Sequence, residues 1–108
     1  MHIIKNNVQY VFSATNYNFP IQRSFFINKN KKIEMFFPNK YLTRSQDLIK
    51  CFHDAGQFYW GKKESWIDNT PLFSGDSFPI ILPNYLVQDI DTIEDWQRAE
   101  KIFQHYYK

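Results

Sequence analysis

The C-terminal segment limits the possible folds more than any other part of this sequence. Thr92 and Asp95 have the spacing of a capping box, which marks a helix N-terminus. The apolar residues that follow recur every three or four positions, as on one face of a helix: Trp96, Ala99, Phe103 and Tyr106. Tyr85 to Ile90, just before, is predicted to be a strand. A strand followed directly by a helix is typical of an α/β layer.

The remainder of the chain is predicted to be rich in β-structure. Val8 to Thr15 is dominated by β-forming residues and predicts a buried strand. Ile21 to Asn28 and Lys32 to Phe37 predict a hairpin whose turn is the polar stretch 28–31. Tyr41 to His53 is ambiguous, with a short helix possible from Ser45. The expected additional extended segments are Gln57 to Trp60 and Pro79 to Leu82.

Composition excludes several classes of protein. The 108 residues suffice for one domain, and 19% aromatic residues argue against disorder. A net charge of +2 does not favour nucleic acid or an anionic membrane as partner. No apolar stretch reaches the about 18 residues of a membrane span. The single cysteine, Cys51, fits a reducing, cytoplasmic compartment and is expected to be a buried structural thiol.

Asp89 and Asp91 are the first candidate site. Two residues apart in an extended chain, they would project from the same face of the predicted strand. Carboxylates at the carboxyl end of a strand can hold a hard cation such as Mg²⁺. The alternative is that Asp91 supports the helix N-terminus while Asp89 is solvated.

Arg44 and the pair His53–Asp54 are further candidates. Arg44 could clamp a carboxylate or phosphate through two hydrogen bonds, or could form a surface pair with Asp47. His53 and Asp54 suggest proton transfer. Adjacent residues of an extended chain point to opposite faces, however, so a structural role for this pair is favoured.

Three blocks of this sequence together resemble the CMP-sialic acid synthetase, or acylneuraminate cytidylyltransferase, family. They are residues 43–48 (TRSQDL), 54–61 (DAGQFYWG) and 87–100 (VQDIDTIEDWQRAE). The blocks occur in the family's order and spacing, and the resemblance extends from about Val8 to the last helix. The second block favours pseudaminic acid as the sugar, without excluding legionaminic acid.

The resemblance implies an enzyme that transfers CMP from CTP to a nonulosonic acid and releases pyrophosphate, for cell-surface glycan biosynthesis. It implies that Asp89 and Asp91 are the catalytic aspartates that ligate Mg²⁺. The residues implied to bind the sugar acid are Arg44, Gln57, Tyr59, Phe73 and, with Gln22 as an alternative, Arg23. Phe73 corresponds to aromatic residues that reach the partner subunit's sugar site, which implies a homodimer.

The implied fold is the C-terminal part of a Rossmann-like nucleotide-diphospho-sugar transferase. Residues 20–83 would form a hairpin and aromatic insert for sugar binding and dimerisation, and residues 84–108 the final strand and helix. None of the three glycines belongs to a phosphate-binding loop, which the family carries near its N-terminus. We therefore expect 1–108 to be one partial domain, inactive alone and completed by a separate N-terminal half. A non-catalytic dimerisation or interaction module is the alternative.

Overall fold

The computed structural model describes residues 8–107. Within that range it contains strands and helices in a mixed order, which agrees with the predicted α/β class. The elements are β1 (Tyr10–Asn16), β2 (Phe25–Ile27), β3 (Ile33–Met35), β4 (Phe52–Gly61), α1 (Lys63–Ile67), β5 (Ser77–Ile81) and α2 (Ile93–Tyr106). Contacts divide the chain into a hairpin unit, residues 16–52, and a sheet unit, residues 8–15 with 53–107.

The sheet unit is built around β1, which lies between β4 and β5. β1 and β5 are parallel, with Tyr10 opposite Ser77 and Ala14 opposite Ile81. On the other side, Lys62 N–H donates to the Gln9 carbonyl at 3.0 Å, so the end of β4 lies beside the start of β1. A strand with neighbours on both sides is shielded from water, and all of β1 except its last residue is buried. The predicted buried strand at Val8 to Thr15 is confirmed.

Polar side chains of β1 are buried together with their hydrogen-bond partners. The Tyr10 hydroxyl lies 2.9 Å from the Ser65 carbonyl oxygen and 2.7 Å from that of Thr70, and its single proton is shared between these two acceptors. Thr15 Oγ1 donates to the Leu82 carbonyl at 2.8 Å. Since each group keeps a partner, burial carries little desolvation penalty. These bonds fix β1 to the segments that follow α1 and β5.

A β-bulge interrupts β4 opposite Ser13. Ser13 Oγ accepts hydrogen bonds from two consecutive backbone N–H groups, Gln57 at 2.9 Å and Phe58 at 3.2 Å. Gly56 has a φ of +69°, the left-handed conformation found at many bulges. In a regular strand Asp54 and Tyr59, five residues apart, would point to opposite faces. The bulge shifts this alternation and puts both on one side.

The hairpin unit contains the antiparallel pair β2–β3, with Phe25 opposite Met35 and Ile27 opposite Ile33. Its turn is closed by Asn28, whose side-chain oxygen accepts hydrogen bonds from the N–H groups of Asn30 and Lys32. The predicted hairpin is confirmed, with shorter strands. The helix possible at Ser45 is one 3₁₀ turn, and further single turns occupy Ile21–Arg23 and Pro38–Lys40.

The strand predicted for Tyr85 to Ile90 is wrong. Asn84–Leu86 forms a 3₁₀ turn after Pro83, and residues 87–92 are irregular. Within residues 8–107, no strand pairs with this segment, so its β-forming side chains have no ladder to join.

α2 begins as its sequence predicts. Thr92 and Asp95 form the capping box, and the Asp95 carboxylate also accepts the Asp91 N–H at 3.0 Å. The apolar face predicted for α2 is mostly exposed: Trp96 and Phe103 each retain 56% of their accessible surface. In the described residues, no helix has the length and apolar character required to cross a membrane.

Candidate functional site

The bulge of β4 places several polar side chains beside the loop that precedes α2. Asp54 accepts the Gly56 N–H at 2.8 Å through one carboxylate oxygen, and the Tyr59 hydroxyl through the other. A methyl group at Gly56 would lie 3.3 Å from Asp89 Oδ1, so the Asp89 carboxylate lies close to the bulge. Two predicted residues, Tyr59 and Asp89, are therefore brought to one place. Asp54 binds the Tyr59 hydroxyl from within the same strand, a role that sequence reasoning missed.

The environment keeps Tyr59 protonated. The hydrogen bond to Asp54 raises the pKa of Tyr59 to about 12, with smaller contributions from burial and from the charges of Asp54 and Asp89. Ionisation would remove the donated proton and place a phenolate beside two carboxylates. Tyr59 is therefore a neutral group whose proton is committed to Asp54.

This raised pKa predicts a pH dependence. A tyrosine with a higher pKa in the folded state stabilises that state below its ordinary pKa of 10.0, and the effect is lost as pH rises through about 12. In a spectrophotometric titration of phenolate, the difference between the unsubstituted chain and Tyr59→Phe should titrate above pH 10. A difference curve centred at pH 10 would contradict the Asp54 bond.

The structure does not support the prediction that Asp89 and Asp91 project from one face at the end of a strand. They do not follow a strand, so the shared-face argument fails, and both are exposed in an irregular segment. Asp91 supports the helix N-terminus through its backbone N–H to Asp95, at 3.0 Å. No cluster of three or more candidate metal ligands occurs among residues 8–107. A pair of carboxylates is still compatible with Mg²⁺, because that ion commonly takes only one or two protein carboxylates and keeps several waters.

Gln57 and Phe73 lie in the sheet unit with Tyr59. Gln57 is exposed and lies two residues before Tyr59, within the bulged part of β4. Phe73 packs against Phe12 with ring centroids 5.4 Å apart and stays 69% exposed. The exposed part of the ring is available to a ligand or to another subunit.

The two candidate arginines lie in the hairpin unit. Arg44 pairs with Asp47, with 3.0 Å between Nε and Oδ2, as in the surface-pair alternative. Both side chains are more than half exposed, so the pair is weak and its arginine can exchange partners. Arg23 donates to the Thr43 carbonyl, next to Arg44 in the chain. The hairpin unit therefore presents two guanidinium groups along one short segment.

Cys51 is half-buried in the same unit. Its thiol is 3.4 Å from the Ile49 carbonyl, and Gln22 Nε2 donates to its sulfur at 3.5 Å. Gln22, the alternative to Arg23, is thus engaged with the backbone and thiol of residues 49–51. Arg23 is the more exposed of the two.

Sequence comparison relates this chain to cytidylyltransferases, although no family model matches it. It is 42% identical over 101 residues to pseudaminic acid cytidylyltransferase of Campylobacter jejuni subsp. jejuni serotype O:2, and 41% identical to that of serotype O:23/36. Each match covers 94% of this chain and 44% of the relative. The predicted resemblance is confirmed: the chain is homologous to the C-terminal part of pseudaminic acid cytidylyltransferases.

A third relative has two activities in its name. The chain is 31% identical over 102 residues to the Helicobacter pylori protein named pseudaminic acid cytidylyltransferase and UDP-2,4-diacetamido-2,4,6-trideoxy-beta-L-altropyranose hydrolase. The match covers 94% of this chain and 19% of that protein. This chain thus spans less than half the length of each of these relatives.

Proposed function

We propose that this chain is the sugar-binding part of a cytidylyltransferase that transfers CMP from CTP to pseudaminic acid and releases pyrophosphate. The observation that carries the proposal is the 41–42% identity to pseudaminic acid cytidylyltransferases over 94% of the chain. On this proposal the chain is the C-terminal part of a Rossmann-like transferase fold, and it acts in cytoplasmic synthesis of a surface glycan. Because the chain spans 44% of those relatives, the CTP site is assigned to an N-terminal part.

The described residues suggest a division of roles. Gln57 and Tyr59, both exposed in the bulged part of β4, would contact the sugar, and Phe73 would add an apolar wall. Taken by itself, the hairpin unit offers Arg44 and Arg23 as groups that would bind a carboxylate, because a guanidinium group matches a carboxylate with two parallel hydrogen bonds. Positioning of the sugar hydroxyl against the α-phosphate of CTP would supply most of the catalysis.

Asp89 and Asp91 would hold Mg²⁺ together with the phosphates. When bound, the ion neutralises charge that develops on the phosphate oxygens. Its binding can be tested without turnover: Mn²⁺, used as a paramagnetic substitute, should selectively broaden the backbone signals of residues 89–91. The Asp89→Asn variant should lose this broadening, while Asp76→Asn, a substitution at another exposed carboxylate, should retain it.

The experiment for the activity uses CTP, Mg²⁺ and pseudaminic acid. The chain alone is expected to form no CMP-sugar, and addition of the N-terminal part of a relative should start its formation together with pyrophosphate. Sialic acid in place of pseudaminic acid tests the sugar preference. Failure to form either CMP-sugar in any combination would contradict the proposal.

The second candidate is a non-catalytic dimerisation module. Exposed apolar side chains on both strands of the hairpin favour it: Phe25 is 55% exposed, Ile27 69% and Ile33 65%. Such a surface is typical of an interface. Sedimentation equilibrium should then give a dimer that Ile27→Lys converts to monomer, and a monomer at high concentration would exclude this candidate.

A further inference from the structure

We propose that Asp54 is a positioning residue that makes Tyr59 a hydrogen-bond acceptor for an N–H or O–H group of the bound sugar. This inference rests on the proposed function, because it takes Tyr59 as part of the sugar site. It adds Asp54 to the site and fixes the direction of the hydrogen bond between Tyr59 and the ligand. The ligand group that faces Tyr59 must be a donor.

The first step is the geometry of the bulge. Asp54 and Tyr59 meet because the bulge at Gly56 shifts the alternation of β4. Ser13, fully buried in β1, holds this irregular backbone through the N–H groups of Gln57 and Phe58. The Asp54–Tyr59 contact is therefore fixed by the central strand of the sheet unit.

The second step is a count of protons. A phenol has one proton, and a carboxylate has only acceptor oxygens, so Tyr59 must be the donor in this pair. Once that proton is committed, the phenol oxygen can offer a ligand only its lone pairs. Tyr59 is 46% exposed, so a ligand can approach the side chain. The second oxygen of Asp54 is occupied by the Gly56 N–H at 2.8 Å.

Asp54→Asn separates this role from a purely structural one. The asparagine oxygen can still accept the Gly56 N–H and keep the bulge. The asparagine NH₂ group, in the place of the other carboxylate oxygen, cannot accept from Tyr59, so the phenol proton is released. Tyr59 then becomes a donor that opposes a donor group of the sugar, while the site keeps its shape.

The test has two readouts. In the chain labelled with ¹³C at tyrosine Cζ, with Tyr59 assigned by Tyr59→Phe, Asp54→Asn should shift the Tyr59 signal and Asp76→Asn should not. In the turnover assay, Asp54→Asn and Tyr59→Phe should each raise KM for pseudaminic acid about tenfold and leave KM for CTP unchanged. The double variant should be no worse than either single variant, because both remove the same bond.

Each outcome has one interpretation. An unchanged Tyr59 signal in Asp54→Asn overturns the positioning role. The positioning role would also be overturned if the KM increases of the two single variants multiplied in the double variant, or if KM for CTP rose in parallel. Absence of any turnover by the unsubstituted chain together with the N-terminal part of a relative contradicts the proposed function instead, and the ¹³C readout still decides whether Asp54 sets the proton of Tyr59.

Discussion

Gly61→Ala is expected to lower the free energy of unfolding of the sheet unit by about 3 kcal/mol, which is at the upper end of the usual range for overpacking. Gly61 ends β4, where the rings of Tyr10 and Trp66 pack edge to face with centroids 4.8 Å apart. A methyl group at Gly61 would lie 2.5 Å from Trp66 Nε1 and 2.6 Å from Tyr10 Cδ1. Tyr10 is 1% exposed and its hydroxyl proton is shared between the Ser65 and Thr70 carbonyls, so the ring cannot move aside without losing that hydrogen bonding.

Urea unfolding of the chain, followed by tryptophan fluorescence, measures this effect. Gly75→Ala is the matched control, because a methyl group there meets no atom within 4 Å and the backbone does not have a positive φ. That control should be neutral or stabilising by up to about 1 kcal/mol. Equal free energies of unfolding for the two variants would show that a methyl group at Gly61 does not meet the rings of Tyr10 and Trp66.

Ser13→Ala is expected to cost about 2 kcal/mol, because it removes one acceptor from two backbone N–H groups. Gln57 and Phe58 are themselves exposed, so water recovers part of the loss. The free energy of local opening at residues 56–59 should fall more than the free energy of global unfolding, because the bulge depends on this hydroxyl. Amide hydrogen exchange at residues 56–59 should therefore accelerate more than exchange in β5.

Ser45→Ala controls for the loss of a serine hydroxyl. Ser45 is exposed in a 3₁₀ turn of the hairpin unit, and its substitution should change stability by less than about 0.5 kcal/mol. If Ser13→Ala leaves exchange at residues 56–59 unchanged, the bulge does not depend on Ser13.

The elements that sequence predicted are those set by local patterns. The capping box of Thr92 and Asp95 and the turn at Asn28 each lie within a few residues, so the chain specifies them without tertiary information. β1 was identified because a central strand is a continuous run of β-forming residues. The family blocks added the candidate site residues, which no periodicity could have supplied.

The misses depend on distant partners. The bulge needs Ser13 and Gln57, which are 44 residues apart, and no local pattern reports that pairing. The order Asp54-x-Gly56 within a β-forming run was the available signal, because Asp and Gly favour turns and bulges. The strand prediction for Tyr85 to Ile90 was wrong because strand formation also needs a distant partner. The composition of this segment suits a strand, but the described residues provide no neighbouring strand for it.

The bulge of β4 couples the number of residues between Asp54 and Tyr59 to the left-handed conformation of Gly56. With the bulge kept, loss or gain of one residue between them would turn either Asp54 or Tyr59 to the opposite face of the sheet. A conservative substitution at Phe58 leaves that geometry intact. Homologous sequences that keep the bulge should therefore keep this number of residues even where the residue at position 58 differs.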